Sequence, residues 1–150
     1  MVEVTHRAQA SVNDVFAVLA DGWLYSGWVV GASHIREVDD AWPAVGARIH
    51  HSVGPWPLTI EDTTSVRSVD PPHTLELEAR LWPVGAAVVR LELRETGPAS
   101  CEITMSERAV RGPGRLIPHA AQAVLLVPRN RESLTRLTDL AVGRNPSTTP

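Results

Sequence analysis

Residues 75–105 carry the pattern that most constrains what this chain can fold into. Leu75, Leu77, Ala79 and Leu81 alternate with Glu76, Glu78 and Arg80. After Pro83-Val84-Gly85, Ala87, Val89, Leu91 and Leu93 alternate with Arg90, Glu92 and Arg94. After Gly97-Pro98, Cys101, Ile103 and Met105 alternate with Glu102, Thr104 and Ser106. A period of two sends successive side chains to opposite faces. The three segments therefore read as consecutive antiparallel strands with one apolar and one solvated face. Such a sheet needs a cover on its apolar side. The chain supplies one in residues 116–142, where Leu116, Ala120, Ala123, Val127, Leu134, Leu137 and Ala141 recur at helical spacing before Gly143. Pro118 fits the first turn of that helix, and Pro128 predicts a kink or interruption inside it.

The N-terminal half reads in the same way. Residues 2–8 form a first strand, and Ser11 caps a helix with Asp14 in its first turn and Val12, Val15, Phe16 and Leu19 on one face. Trp23, Leu24, Tyr25 and Trp28 predict a second short helix. Strands follow over residues 29–39, 47–53 and 58–69, the last two joined by the turn chemistry of Gly54-Pro55-Trp56-Pro57. The expected class is α+β: a curved seven-stranded antiparallel sheet wrapped around a long C-terminal helix, with two short helices between strands one and two. Sheet curvature leaves space under the helix, commonly a pocket. At 150 residues the chain suits a single domain, expected over 1–142, with 143–150 as a flexible tail.

Charge and special residues exclude several chemistries. All 14 basic residues are arginine, against 17 acids, for a net charge of −3. Schiff-base catalysis and a P-loop lysine are ruled out. The acidic balance argues against non-specific nucleic-acid binding, although Arg108, Arg111 and Arg115 make a local basic cluster. Cys101 is the only cysteine, so an internal disulfide and a multi-thiolate zinc site are excluded, and its inward parity reads as a small buried hydrophobe. The chain shows no GxGxxG, HExxH or GxSxG pattern, and neither a cofactor nor a metal is expected. No apolar run approaches the roughly 20 residues of a membrane span, and the opening residues lack a secretory pattern. The expectation is a cytoplasmic monomer or homodimer.

Four short stretches carry a family resemblance. They are Val15-Phe16-Ala17-Val18-Leu19-Ala20-Asp21, Trp28-Val29-Val30-Gly31, Val45-Gly46-Ala47-Arg48 and Asn130-Arg131-Glu132-Ser133-Leu134. Together with the element order they resemble the START-like superfamily, also called SRPBCC, and its bacterial polyketide cyclase/dehydrase-type branch. The resemblance runs over nearly the whole chain and implies a helix-grip fold. The activities it implies range from lipid or hydrophobe binding to aromatic polyketide cyclisation, ring-hydroxylase domains and chaperone regulation. No catalytic set is common to all of them, so the resemblance assigns no residue a role.

Strand parity nominates the site. His51 shares a face with Ala47, Ile49 and Val53, and in the next strand Leu58, Ile60, Asp62 and Thr64 share a face. With a tight turn, Ile60 lies opposite His51 and Asp62 one diagonal step away, about 7–8 Å. His51 and Asp62 would then form a buried dyad facing the pocket. The carboxylate would orient the imidazole and raise its pKa toward that of a general base, or the two would simply satisfy one another in a wet cavity. The pocket walls are read as Ile49, Ile60, Leu77, Ala79, Val89, Leu91, Ile103 and Met105, with Ala120, Ala123 and Val127 from the helix. Trp28 closes one end, Thr64 offers a hydroxyl, and His119 lies at the mouth. Glu107 is read as a rim charge, Trp42 and Trp56 as loop residues near the entrance, and Trp82 as outward-facing. The leading functional expectation is binding of a small hydrophobic or amphipathic ligand such as a lipid, polyketide or aromatic metabolite. The alternatives are a polyketide cyclase or dehydratase using His51 with Asp62, and a protein-interaction module acting through a Trp42/Trp56 surface.

Overall fold

The computed structural model describes residues 2–30, 32–53, 60–81 and 85–143. The Gly54–Pro57 turn, Trp56, Trp82 and the tail beyond 143 lie outside them. In chain order the elements are β1 (Val2–Ala8), α1 (Val12–Leu19), a 3-10 turn (Gly22–Leu24), α2 (Tyr25–Trp28), β2 (Ala32–Val38), β3 (Arg48–Val53) and β4 (Ile60–Asp70). There follow β5 (Thr74–Leu81), β6 (Gly85–Gly97), β7 (Ser100–Arg111), a second 3-10 turn (Pro113–Leu116) and α3 (His119–Gly143). The strands form one sheet in the order β1-β7-β6-β5-β4-β3-β2, with every neighbouring pair antiparallel.

Local chemistry accounts for the starts and corners. The Ser11 hydroxyl accepts a hydrogen bond from the Asp14 amide at 3.1 Å, satisfying one of the amides left free at the start of α1. Gly85 opens β6 at φ +125°, where a Cβ would collide with the Arg111 carbonyl, so only glycine can make that corner. The alternation of β5, β6 and β7 resolves as read. Leu75, Leu77, Leu91 and Ile103 are fully or almost fully buried against Leu134 and Leu137 of α3. Each such side chain contributes about 1.5–3 kcal/mol by leaving water. On the other face Arg90 bridges Glu76 at 3.1 Å and Glu92 at 2.6 Å, and Arg94 meets Glu102 at 3.1 Å. Exposed pairs of this kind are worth about 0–1 kcal/mol each, so they keep the face wet more than they hold the fold.

Two local expectations change, and one strand is irregular. Pro118 precedes α3 instead of sitting in its first turn, and its carbonyl accepts the Gln122 amide at 3.0 Å. Pro128 does not interrupt α3; it lies on an exposed face, and Val124, whose carbonyl it deprives of a partner, is itself exposed. β2 pairs with β3 through two register shifts, between Ala32 and His34 and between Ile35 and Glu37. A strand with two irregularities has no single parity, so Ile35 and Glu37 compete in the sequence with Ala32, His34 and Arg36 for the inward face. No helix among the described residues is long and apolar enough to cross a membrane.

Candidate ligand-binding cavity

Sheet and helix do not meet along their whole length. Between α2, the α2–β2 connection, β3, β5–β7 and the middle of α3 they leave a cavity of about 160 Å3. Its apolar wall comes from Trp28, Val29, Val30 and Ala32 at one end and from Leu77, Ala79, Val89 and Met105 on the sheet. Its polar groups are Tyr25, His51, Glu107, Arg129 and Ser133.

Tyr25 and Trp28 stand three residues apart on α2 and therefore on one side of it. Their rings meet edge to face at 5.5 Å. Tyr25 also stacks on His51, with ring centroids 5.5 Å apart. The Tyr25 hydroxyl lies 3.0 Å from Thr64 Oγ1, and Thr64 Oγ1 lies 2.8 Å from His51 Nε2. Thr64 is fully buried and His51 nearly so, which makes a hydrogen-bonded trio shut off from bulk water. His51 Nδ1 has no protein partner. Burial holds the His51 pKa below its ordinary value, with Asp62 pulling the other way, so the imidazole is neutral at neutral pH. Burial likewise raises the Tyr25 pKa and keeps the phenol protonated.

The second polar group belongs to β7 and α3. Glu107 is 4% exposed, with one carboxylate oxygen 3.4 Å from Arg129 Nη1 and the other, Oε1, without a protein partner. Burial pushes its pKa up, while Arg129 and the nearby Asn130 amide hold it back. Asn130 is fully buried but makes no hydrogen bond of good geometry. Arg129 Nε donates to the Val30 carbonyl at 3.1 Å, and the Val30 amide donates to Ser133 Oγ at 3.2 Å. α3 thus holds Val30 by both its amide and its carbonyl at the edge of the cavity.

The predicted site residues divide sharply. Trp28, His51, Leu77, Ala79, Val89 and Met105 line the cavity. Ile49, Leu91 and Ile103 are fully buried in the core, and Thr64 sits behind His51. The backbone of Ile60 pairs with Val53, while its side chain lies outside the described set. His119 and Ala120 are exposed near the start of α3, and Ala123 and Val127 are half-buried outside the cavity. β3 and β4 do pair antiparallel, but Asp62 lies directly opposite His51 and not a diagonal step away, because Ile60 pairs with Val53 and not with His51. The Asp62 carboxylate accepts from the Thr63 amide at 2.8 Å and lies 3.9 Å from Arg80 Nε. The imidazole instead bonds Thr64, and its pKa moves down instead of up, since desolvation outweighs the Asp62 charge. Glu107 is buried, not a rim charge, because Arg129 accompanies it inward. Trp42 is buried and donates its indole N–H to the Leu19 carbonyl at 3.1 Å, which removes it from any exposed gate.

Tyr25, Arg129 and Ser133 escaped the sequence reading. A signal was present: Asn130 and Ser133 lie in the stripe of Leu134, Leu137 and Ala141, and polar residues on an apolar stripe mark a wet interior. Among the described residues no group of three or more His, Cys, Asp or Glu is placed to hold a metal.

Solved structures resemble the chain over nearly its full length. The crystal structure of Ara h 8.0201 superposes with a TM-score of 0.71 at 12% identity, covering 94% of this chain and 96% of that one. A conserved protein from Geobacillus kaustophilus gives 0.71 at 11% identity, covering 94% of each chain. The di-domain ARO/CYC StfQ from the steffimycin biosynthetic pathway gives 0.68 at 15% identity, covering 94% of this chain and 44% of that one. The chain has the helix-grip fold. No family model matches the chain, and no curated protein matches it. Identities this low make the helix-grip architecture the shared property and leave the site to be argued from its own residues.

Proposed function

We propose that this helix-grip protein binds a small, largely apolar ligand in the cavity between the sheet and α3. One observation carries the reading: a cavity of about 160 Å3 with an aliphatic and aromatic wall and a few buried polar groups, the composition of a small-molecule site. The volume sets the ligand's scale. An engineered dry cavity of about 150 Å3 accepts benzene, so this one suits a single ring or a short branched chain. A multi-unit polyketide or a lipid acyl chain needs several times that space. The fold neighbours support a binding or cyclase scaffold in general and leave the choice to the cavity.

Heteronuclear NMR with benzene and toluene as probes tests the reading. Saturable shifts are expected at the methyl groups of Leu77, Val89 and Met105, and filling the space with Ala79→Phe abolishes them. Absence of saturable shifts, or shifts confined to the surface, sinks the proposal.

A cyclase or dehydratase reading has one observation in its favour: His51 is neutral and its Nδ1 is unoccupied by protein, as a general base requires. Against it stand the cavity volume and the Asp62 carboxylate engaged with Thr63 and Arg80. Binding is therefore the better supported function.

A further inference from the structure

The cavity's two polar groups make different demands on a ligand. Thr64 carries one hydroxyl proton, so proton positions in the Tyr25–Thr64–His51 trio are linked. If Thr64 donates to Nε2, Tyr25 donates to Thr64; His51 then presents Nδ1–H and Tyr25 presents oxygen lone pairs. If Nε2–H donates to Thr64 and Thr64 passes its own proton to Tyr25, His51 presents a lone pair and Tyr25 keeps a free O–H. In both arrangements the two ends of the trio offer one donor and one acceptor, so this side tolerates either kind of polar group. Glu107 does not. Glu107 lines the cavity, its Oε1 is buried with no hydrogen-bond partner of good geometry, and a carboxylate paired with arginine accepts hydrogen bonds without donating them. What faces it must be a donor.

Charge narrows the class further. Arg129 is the one cation among the described lining residues, and its guanidinium is already committed to Glu107 and the Val30 carbonyl. An anionic ligand in so small a space would lie against Glu107 with no free cation to offset it. Resting on the binding reading above, we propose that the cavity selects an uncharged, single-ring-sized ligand bearing a hydroxyl group, whose O–H donates to Glu107. A compact phenol or cyclic alcohol fits this description, while a carboxylate or phosphate ester of the same size does not.

Calorimetric titration of the full chain with p-cresol, toluene and benzoate at neutral pH tests the proposal. The expected order is p-cresol tightest, by about tenfold or more over toluene, with benzoate weakest, because a buried acceptor left unpaired is costly. Glu107→Gln is expected to lower p-cresol affinity about tenfold and leave toluene unchanged. If that variant does not fold, the wild-type ranking still decides. Toluene binding as tightly as p-cresol overturns the hydroxyl requirement while leaving the cavity reading standing. Benzoate binding tightest overturns it in favour of Arg129 as an anion receptor. Binding of none of the three overturns both the proposed function and this inference.

Discussion

The two ends of α3 obey different rules although they belong to one helix. From Asn130 onward, Asn130, Ser133, Leu134, Leu137 and Ala141 are buried where the helix lies against β1, α1 and α2. Before Pro128, Ala120, Ala121, Val124 and Leu125 face solvent, Val124 at 74% exposed and Leu125 at 65%. Both stretches have apolar residues at helical spacing. The difference teaches that spacing establishes a face, whereas cover depends on what the rest of the fold brings against it. Arg129 stands at the boundary, where the helix leaves the core and the cavity begins.

The sharpest way to break this contrast is to truncate both ends. Leu137→Ala is expected to cost about 2–5 kcal/mol in urea unfolding, since the site is fully buried, while Leu125→Ala stays within about 0.5 kcal/mol. Comparable losses would show that the exposed half is covered in solution. Next in size is the boundary itself. Arg129→Met leaves Glu107 buried without its cation and frees the Val30 carbonyl; because Arg129 is partly exposed, a loss of about 1–3 kcal/mol at neutral pH is expected. Glu107 has a folded pKa above its unfolded value, so its ionisation costs stability as pH rises from about its ordinary value through the folded one. Removing Arg129 widens that window, and the penalty of Arg129→Met should shrink on acidification. A penalty independent of pH would argue that Arg129 acts only through Val30.

A smaller effect belongs to His51. Its folded pKa lies below the unfolded value, so the folded state binds fewer protons in the interval between them. Stability is complete above the ordinary histidine pKa and falls as pH drops through it toward the folded value. Urea midpoints measured across that interval should decline in the wild type more than in His51→Gln, and parallel curves would contradict the burial argument. The smallest expected difference is in exchange. Backbone amides of residues 123–127 should exchange faster than those of 133–141, and uniform protection along α3 would erase the distinction between its ends.

Much of the sheet was legible because its information is local. In β5 to β7 most side chains declare their face through the charge or aliphatic character of their neighbours two positions away, and Leu75, Leu77, Leu91, Leu93, Cys101, Ile103 and Met105 are buried as read, although Ala86 and Val88 are buried at the opposite parity. The candidate site was less legible for a reason that particular residues show. His51 and Asp62 share one face, yet the partner of the imidazole is Thr64, because side-chain rotation and the β3–β4 register are invisible to parity. Glu107 had inward parity after Met105. Only the arrival of Arg129 from a helix 22 residues later makes its burial tolerable.

By itself the sequence determined the class of the fold, the apolar and charged faces of the long strands, the capped start of α1 and the absence of lysine and thiol-pair chemistry. Only the tertiary structure decided which polar groups share the cavity. Tyr25 meets Thr64 across 39 residues, and Val30 meets Ser133 across 103. Periodicity acts over a few residues, within one element. Contacts between elements depend on register, connection length and the seating of the helix, which are set when the whole apolar surface is buried at once.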